Sequence, residues 1–235
     1  MTPAFKLVLL LRSSGTHDTG SFIDAWTRLD LENPIDAPGL LAAAFNGPVA
    51  GRVPISHIGA APFDAALETW WARKNDAADW VVSRAFSDDW LPRRLAILAA
   101  RPTGIGGAPQ VLWESDAPVP PDAVKVFTLP VSRRRMRFVE FSSHWTGQHA
   151  QLALEGPGTR ERLLRLEDTP APLGVSTRLQ HSRYDGVGAL TFASLDALDE
   201  EFATEHYRDK VAADELTFTE PEFSAGILTR EISRI

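Results

Sequence analysis

From Phe138 to Leu152 the large side chains Phe138, Phe141, Trp145, His149 and Leu152 recur every three or four positions. That spacing puts them on one face of an α-helix. The stripe predicts a helix from Arg135 to about Leu154, with His149 on its apolar side one turn beyond Trp145. A matching stripe near the N-terminus, Phe22, Trp26 and Leu29, predicts a helix capped by Thr19 or Ser21, and Asp30 stands where His149 stands in the later one. Short apolar runs bounded by turn residues predict strands at 5–11, 49–58, 63–71, 93–100, 124–129, 175–181, 184–192 and 223–235. Helical spacing returns at 74–86 and, behind the capping Ser194, through Phe202. The segments 40–45 and 159–167 read as short helices, and the Gly- and Pro-rich stretch 103–121 reads as a linker.

These elements fall twice into the order β-α-β-β-α-β. Phe22, Trp26 and Asp30 answer to Phe141, Trp145 and His149, Phe63-Asp64 answers to Tyr184-Asp185, and His57 falls near His181. The recurrence predicts an α+β fold of two fused ferredoxin-like repeats, residues 1–115 and 116–235. A four-stranded sheet with both helices on one side leaves its other face bare. A second such sheet is the natural cover, which predicts an intramolecular α+β barrel. Ligand space would then lie between helices and sheet, or inside the sheet-lined interior.

Composition removes several alternatives. The chain has 235 residues and no cysteine, so disulfides, thiolate nucleophiles and Cys-bound zinc are excluded. A net charge of −7 gives no support for nucleic acid or an anionic membrane as partner, and the cluster Arg133, Arg134, Arg135 and Arg137 reads as a solvated turn. The run Leu7 to Leu11 is too short for a signal-peptide core or a membrane span, so a soluble cytoplasmic protein is expected. No G-x-S-x-G or H-E-x-x-H is present. His144 and His149, five apart, should diverge on a helix, so neither a metal nor a cofactor is expected.

His149 is the leading chemical candidate. An imidazole among Phe and Trp side chains suits a general base, whereas a structural histidine there would donate to a backbone carbonyl. His181, three residues before Tyr184, could face it across the helix–sheet gap if its side chain points inward, with Tyr184 and Asp185 orienting it. Strand parity leaves that open, and Asp-Gly at 185–186 also serves a turn. Phe141, Trp145, Trp26, Asp30 and His57 are the expected pocket residues, while His144 lies off the stripe and should be solvated.

The second half resembles the EthD-like family of the dimeric α+β barrel superfamily. The likeness is carried by F-x3-W-x3-H at Phe141, Trp145 and His149, by Gln180-His181, by Tyr184 to Val187, and by Asp214, Glu215 and Phe218. It implies a ferredoxin-like unit paired face to face, here within one chain. Some members of the family are tied to ether degradation, and related fungal ones act as cofactor-free dehydratases or cyclases on polyketide-type aromatics. In the superfamily, histidines facing the cavity often serve as acid or base. The first half keeps Phe22, Trp26, His57 and Asp64 but departs at Asp30.

Two expectations follow for function. One is a cofactor-free enzyme of lyase or isomerase type, acting on a small apolar, aromatic or polyketide-like molecule through His149 and His181. The other is a small-hydrophobic-ligand binding or accessory protein of a catabolic pathway without chemistry of its own. A cavity filled by the protein's own side chains would remove both. Whether the outer surfaces form a homodimer stays open.

Overall fold

The computed structural model describes residues 2–50, 59–172 and 178–235. His57, most of the strand expected at 49–58, and much of that expected at 175–181 lie outside the described residues. The first half supplies β1 (Phe5–Leu11), α1 (Thr19–Glu32), β2 (Leu40–Pro48), β3 (Gly59–Ala60), β4 (Ala65–Trp71), α2 (Lys74–Val82), α3 (Leu91–Leu95) and β5 (Thr103–Gly107). The second supplies β6 (Gln110–Glu114), β7 (Val124–Leu129), α4 (Phe138–Ser143), α5 (Ala150–Leu154), α6 (Thr159–Arg162) and β8 (Leu163–Pro170). It ends with β9 (Gln180–His181), β10 (Gly186–Phe192), α7 (Leu195–Ala203), α8 (Ala212–Phe218) and β11 (Ala225–Arg234). Among the described residues no helix is long and apolar enough to cross a membrane.

The eleven strands of the described residues join one sheet, in the order β6-β8-β10-β7-β11-β2-β4-β1-β5-β9, with β3 beside β11. Read from β8 to β5, the second, third, first and fourth main strands of one half are followed by the same succession from the other. The halves meet where β11 runs antiparallel to β2. At the far end the chain leaves β5 and pairs, as β6, with β8.

Alternation along β1 shows why both faces of this sheet are buried. Phe5, Leu7, Leu9 and Leu11 pack under the first-half helices with Phe22, Trp26 and Trp80. Val8 and Leu10 point the other way and meet Phe127, Leu129, Val187 and Ile227 of the second half. Lys6 shares that second face. Its ammonium lies 2.6 Å from Glu68 and 2.5 Å from Glu167, and Lys125 approaches the other oxygen of Glu68 at 2.5 Å. Burial alone would lower the Lys6 pKa, but the two carboxylates outweigh it and raise it. Burial likewise penalises ionised Glu68, but Lys125 and Lys6 hold its carboxyl well below the usual range. Four charged side chains from four strands thus bridge the two halves.

Several expected elements differ. The segment expected as a helix at 40–45 is β2, hydrogen-bonded on one side to β4 and on the other to β11, and that ladder overrides the helix preference of Leu and Ala. Residues 93–100 do not form a strand: α3 continues a π-helical turn, Ala85–Trp90, and drives Arg94 inward. The fourth strand lies instead in the glycine run read as a linker. Gly107 is needed there, since a Cβ would sit 2.0 Å from the Pro170 carbonyl oxygen. The helix expected over 159–167 stops at Arg162, and β8 begins at Leu163. Asp18, and neither Thr19 nor Ser21, caps α1 by accepting the Ser21 amide at 2.8 Å.

Replacing Lys6 by Met should lower stability by about 3–5 kcal/mol in urea unfolding at neutral pH, because Glu68 and Glu167 would stay buried with less compensation. Since Glu68 titrates below its ordinary 4.5, its contribution is present above that pH and is lost as pH falls further. Glu68→Gln should therefore flatten the acid limb of the stability profile.

Candidate active site

The predicted helix from Arg135 to Leu154 is real in outline, but its middle turn is wider. Between α4 and α5 the residues His144–His149 form a π-helical turn, in which the Ala150 amide reaches back to the Trp145 carbonyl. Such a turn is wider than an α-helical one, so residues five apart come much closer to one face than they would on an α-helix. His144 and His149 therefore converge where an α-helix would have splayed them. Both reach Asp214 on α8: His144 Nε2 lies 3.0 Å from Oδ2, and His149 Nδ1 lies 2.9 Å from the same oxygen. The solvated position expected for His144 is thus replaced by a bonded one. Phe218, one turn further along α8, lies against both imidazoles with ring centres 4.8 and 4.9 Å away.

An ionised carboxylate only accepts hydrogen bonds, so Asp214 selects the tautomer of His149 that carries its proton on Nδ1. In the neutral ring Nε2 is then the free base. It lies 3.9 Å from Glu215, whose carboxylate accepts the Tyr207 phenol. Burial and the neighbouring Glu215 raise the phenol pKa well above its ordinary value, so Tyr207 keeps its proton.

His149 stands on the wall of a cavity of about 90 Å³ between the helices and the sheet. That volume takes a small organic molecule or several waters. Leu129, Leu166, Leu190 and Phe192 provide its apolar lining, with Trp145 and Val211 above. The floor is a row across three strands in which Asp168 pairs with Gly188, and Gly188 with Thr128. A Cβ on Gly188 would lie 2.4 Å from Thr128 Oγ1 and 3.0 Å from Asp168 Oδ1, so only glycine leaves the row open.

The corresponding row in the first half is Phe45, Leu67 and Leu9, and it is full. Trp26 stacks on Phe45 at 4.8 Å, and Trp80, Phe86 and Trp90 close over the same core. Laying α2 on α7 and α3 on α8 from their first residues puts Glu201 in place of Trp80 and Glu215 in place of Arg94. Asp30, the counterpart of His149, is bound by buried Arg94 at 2.7 Å and by the Trp26 indole at 3.0 Å. Trp26 and Asp30 therefore belong to a filled core and are not among the residues that line the cavity beside His149. The halves hold opposite solutions: an ion pair plugged by tryptophans in one, a histidine and a carboxylate beside open space in the other.

Of the other expected site residues, Trp145 lines the cavity and Phe141 packs behind it against Phe218. His181 does not join His149. It is exposed on β9, where it pairs with Gly104 of the first half, so its strand points it away from the second-half helices. Tyr184 is buried among residues of both halves, edge-on to Phe63 at 6.5 Å. Asp185 accepts the Ser132 amide at 2.7 Å, as Asp64 accepts that of Ser13 at 2.8 Å, so in each half this aspartate ties the entry of the third main strand to the chain just past the first and takes no place beside His149. Asp214 and Glu215 were visible only as part of a motif. Asp168 carried no signal of its own, although the exchange of Ala65 and Leu67 for Gly186 and Gly188 marked where bulk was lost. Among the described residues no group of three or more His, Asp or Glu is placed to hold a metal ion.

Residues 133–222 match the EthD domain. The EthD segment contains the π-helical turn, His149, Asp168 and Asp214, and lies entirely in the half with the open cavity. No curated protein matches the chain. Among solved structures, a monooxygenase candidate from Fusobacterium nucleatum is similar over 99% of this chain and 94% of its own, with a TM-score of 0.61 and 8% identity. An anthrone oxidase-like protein is similar over 98% and 92%, with a TM-score of 0.60 and 13% identity. A chlorite dismutase from Candidatus Nitrospira defluvii is similar over 97% and 91%, with a TM-score of 0.51 and 8% identity. At such identities the likeness is one of fold.

If Asp214 selects the tautomer, ¹⁵N spectra should show neutral His149 protonated at Nδ1 in the unaltered protein. Asp214→Asn should move the population toward Nε2–H; an unchanged spectrum would remove Asp214 from this role.

Proposed function

We propose that the protein is a small-molecule enzyme in which His149, oriented by Asp214, takes a proton from a largely apolar molecule bound between the helices and the sheet. The observation that carries this reading is the 2.9 Å bond between His149 Nδ1 and Asp214, made by an imidazole on the wall of a cavity. A carboxylate behind the far nitrogen fixes the ring and stabilises the imidazolium that forms when Nε2 takes a proton. Proton removal and return account for isomerisation, and proton removal followed by loss of a leaving group accounts for dehydration. The reading is therefore of lyase or isomerase type. His149 keeps the role expected from the sequence, and Asp214 replaces His181 as its partner.

The fold reading that accompanies it is two fused ferredoxin-like repeats closed into an α+β barrel, the second repeat carrying the site. The repeated strand succession, the meeting of Val8 and Leu10 with Phe127 and Leu129, and the pairing of β6 with β8 support it. A chain without cysteine suits the reducing cytoplasm, where we place it. The three solved structures share a fold that bears names of small-molecule enzymes, and that is consistent with the reading.

The test is exchange of carbon-bound protons for deuterium in a panel of small ketones, followed by NMR. His149→Gln should reduce the exchange rate by about 10²–10⁴-fold while the protein stays folded. Asp214→Asn should leave binding in place and lower the rate. Ligands bound and recovered unchanged, with no dependence on His149, would make the protein a carrier.

A further inference from the structure

Asp168 is 2% exposed and lies on the cavity floor. Its direction follows from strand alternation: Glu167 turns toward Lys6 on one face of β8, so Asp168 must face the helices on the other. Among the described residues no side chain or backbone group hydrogen-bonds its carboxyl, and none of the groups that perturb it does so through a hydrogen bond. A buried polar group without a partner is costly and calls for an explanation. Burial and the neighbouring charge of Glu167 push its pKa well above the ordinary value, with Lys6 opposing only from the far face. Burial and the missing partner both favour the neutral acid, whose O–H is the donor that an apolar site lets a carboxylic acid offer.

The other two carboxylates of the cavity are committed. Glu201 accepts Thr159 at 2.8 Å and Arg162 at 2.8 Å, and Glu215 is held by Tyr207. Among the described residues no lysine or arginine lines the cavity, whereas three carboxyl side chains do. An anionic ligand would meet carboxylates and no cation. What fits is uncharged, small and apolar, with one acceptor oxygen.

We propose that Asp168, as a neutral carboxylic acid, donates the hydrogen bond that holds the carbonyl oxygen of a small uncharged ketone or ester in this cavity. This rests on the proposed function and names its substrate class. With His149 on the helix wall and Asp168 on the sheet floor, the step is enolisation. The C–H bond next to the carbonyl breaks and its proton goes to His149 Nε2. The freed electron pair forms the carbon–carbon double bond, and the carbonyl oxygen takes the Asp168 proton. Imidazolium and carboxylate remain, and the reverse transfer restores both without any oxidant or reductant.

The experiment uses carbonyl-¹³C cyclohexanone and, as a hydrocarbon of the same shape, methylenecyclohexane. The unaltered protein should bind the ketone about 10-fold more tightly than the hydrocarbon, the worth of one hydrogen bond. The carbonyl ¹³C resonance should move downfield on binding. Asp168→Leu should abolish both effects, and Asp168→Asn, which keeps a donor, should retain part of the shift. Infrared difference spectra of the unaltered protein against Asp168→Asn should show a protonated-carboxyl stretch at pH 7, which checks the donor without any ligand. No preference for the ketone, no binding of it, or an ionised Asp168 at pH 7 would each overturn the proposal. His149→Gln separates the two readings: it should stop deuterium exchange and leave the carbonyl shift intact. A shift with no exchange in any variant would sink the His149 reading alone.

Discussion

Four charged side chains with almost no access to water, Lys6, Glu68, Lys125 and Glu167, lie between the two halves, and the placement of everything else follows from their pairing. Buried charges tolerate only the register in which each finds its partner. Because strand side chains alternate, fixing which way Glu167 points also fixes Asp168, one residue along, on the opposite face. The ion network on one side of β8 thereby sets the chemistry on the other. A slip of one residue would exchange the two carboxyls and leave both in the wrong surroundings.

The two halves show how one framework serves as support and as site. In the first, Phe45, Leu67, Trp80 and Trp90 fill the space between helices and sheet, and Arg94 neutralises Asp30 in the middle of it. In the second, those places hold Asp168, Gly188, Glu201 and Val211, and a cavity remains. Losing that much aromatic volume costs packing, and the filled half together with the shared core compensates. Site and support are divided between halves that share one sheet.

Much of this was legible in the sequence. The strands at β1, β4, β7, β10 and β11, the helix at α1 with Phe22 and Trp26 inward, and the Ser194 cap all follow from local periodicity and turn chemistry. His149 on the apolar stripe was legible too. What failed needed long-range information. The helix-favouring residues of β2 are overruled by ladders on both sides, and the glycines of β5 read as a linker until the backbone pressed against Gly107 is known. The partner of His149 was sought on the strand next in sequence and found on α8, because nothing local says which element crosses over a helix. Asp168 looked like any polar residue just past a short helix, because the strand that carries it was read as that helix.

The π-helical turn at His144–His149 has a bearing on how such a site arises. A turn of this kind holds one residue more than an α-helical turn, and α1 in the first half, with its uninterrupted ladder, does without one. The histidine pair therefore depends on a single residue's worth of extra chain. On an unbroken α-helix two residues five apart stand about 140° from each other, so the same His144 and His149 would lose their shared grip on Asp214 without any of the three side chains being altered. The site is as much a matter of residue count as of residue identity.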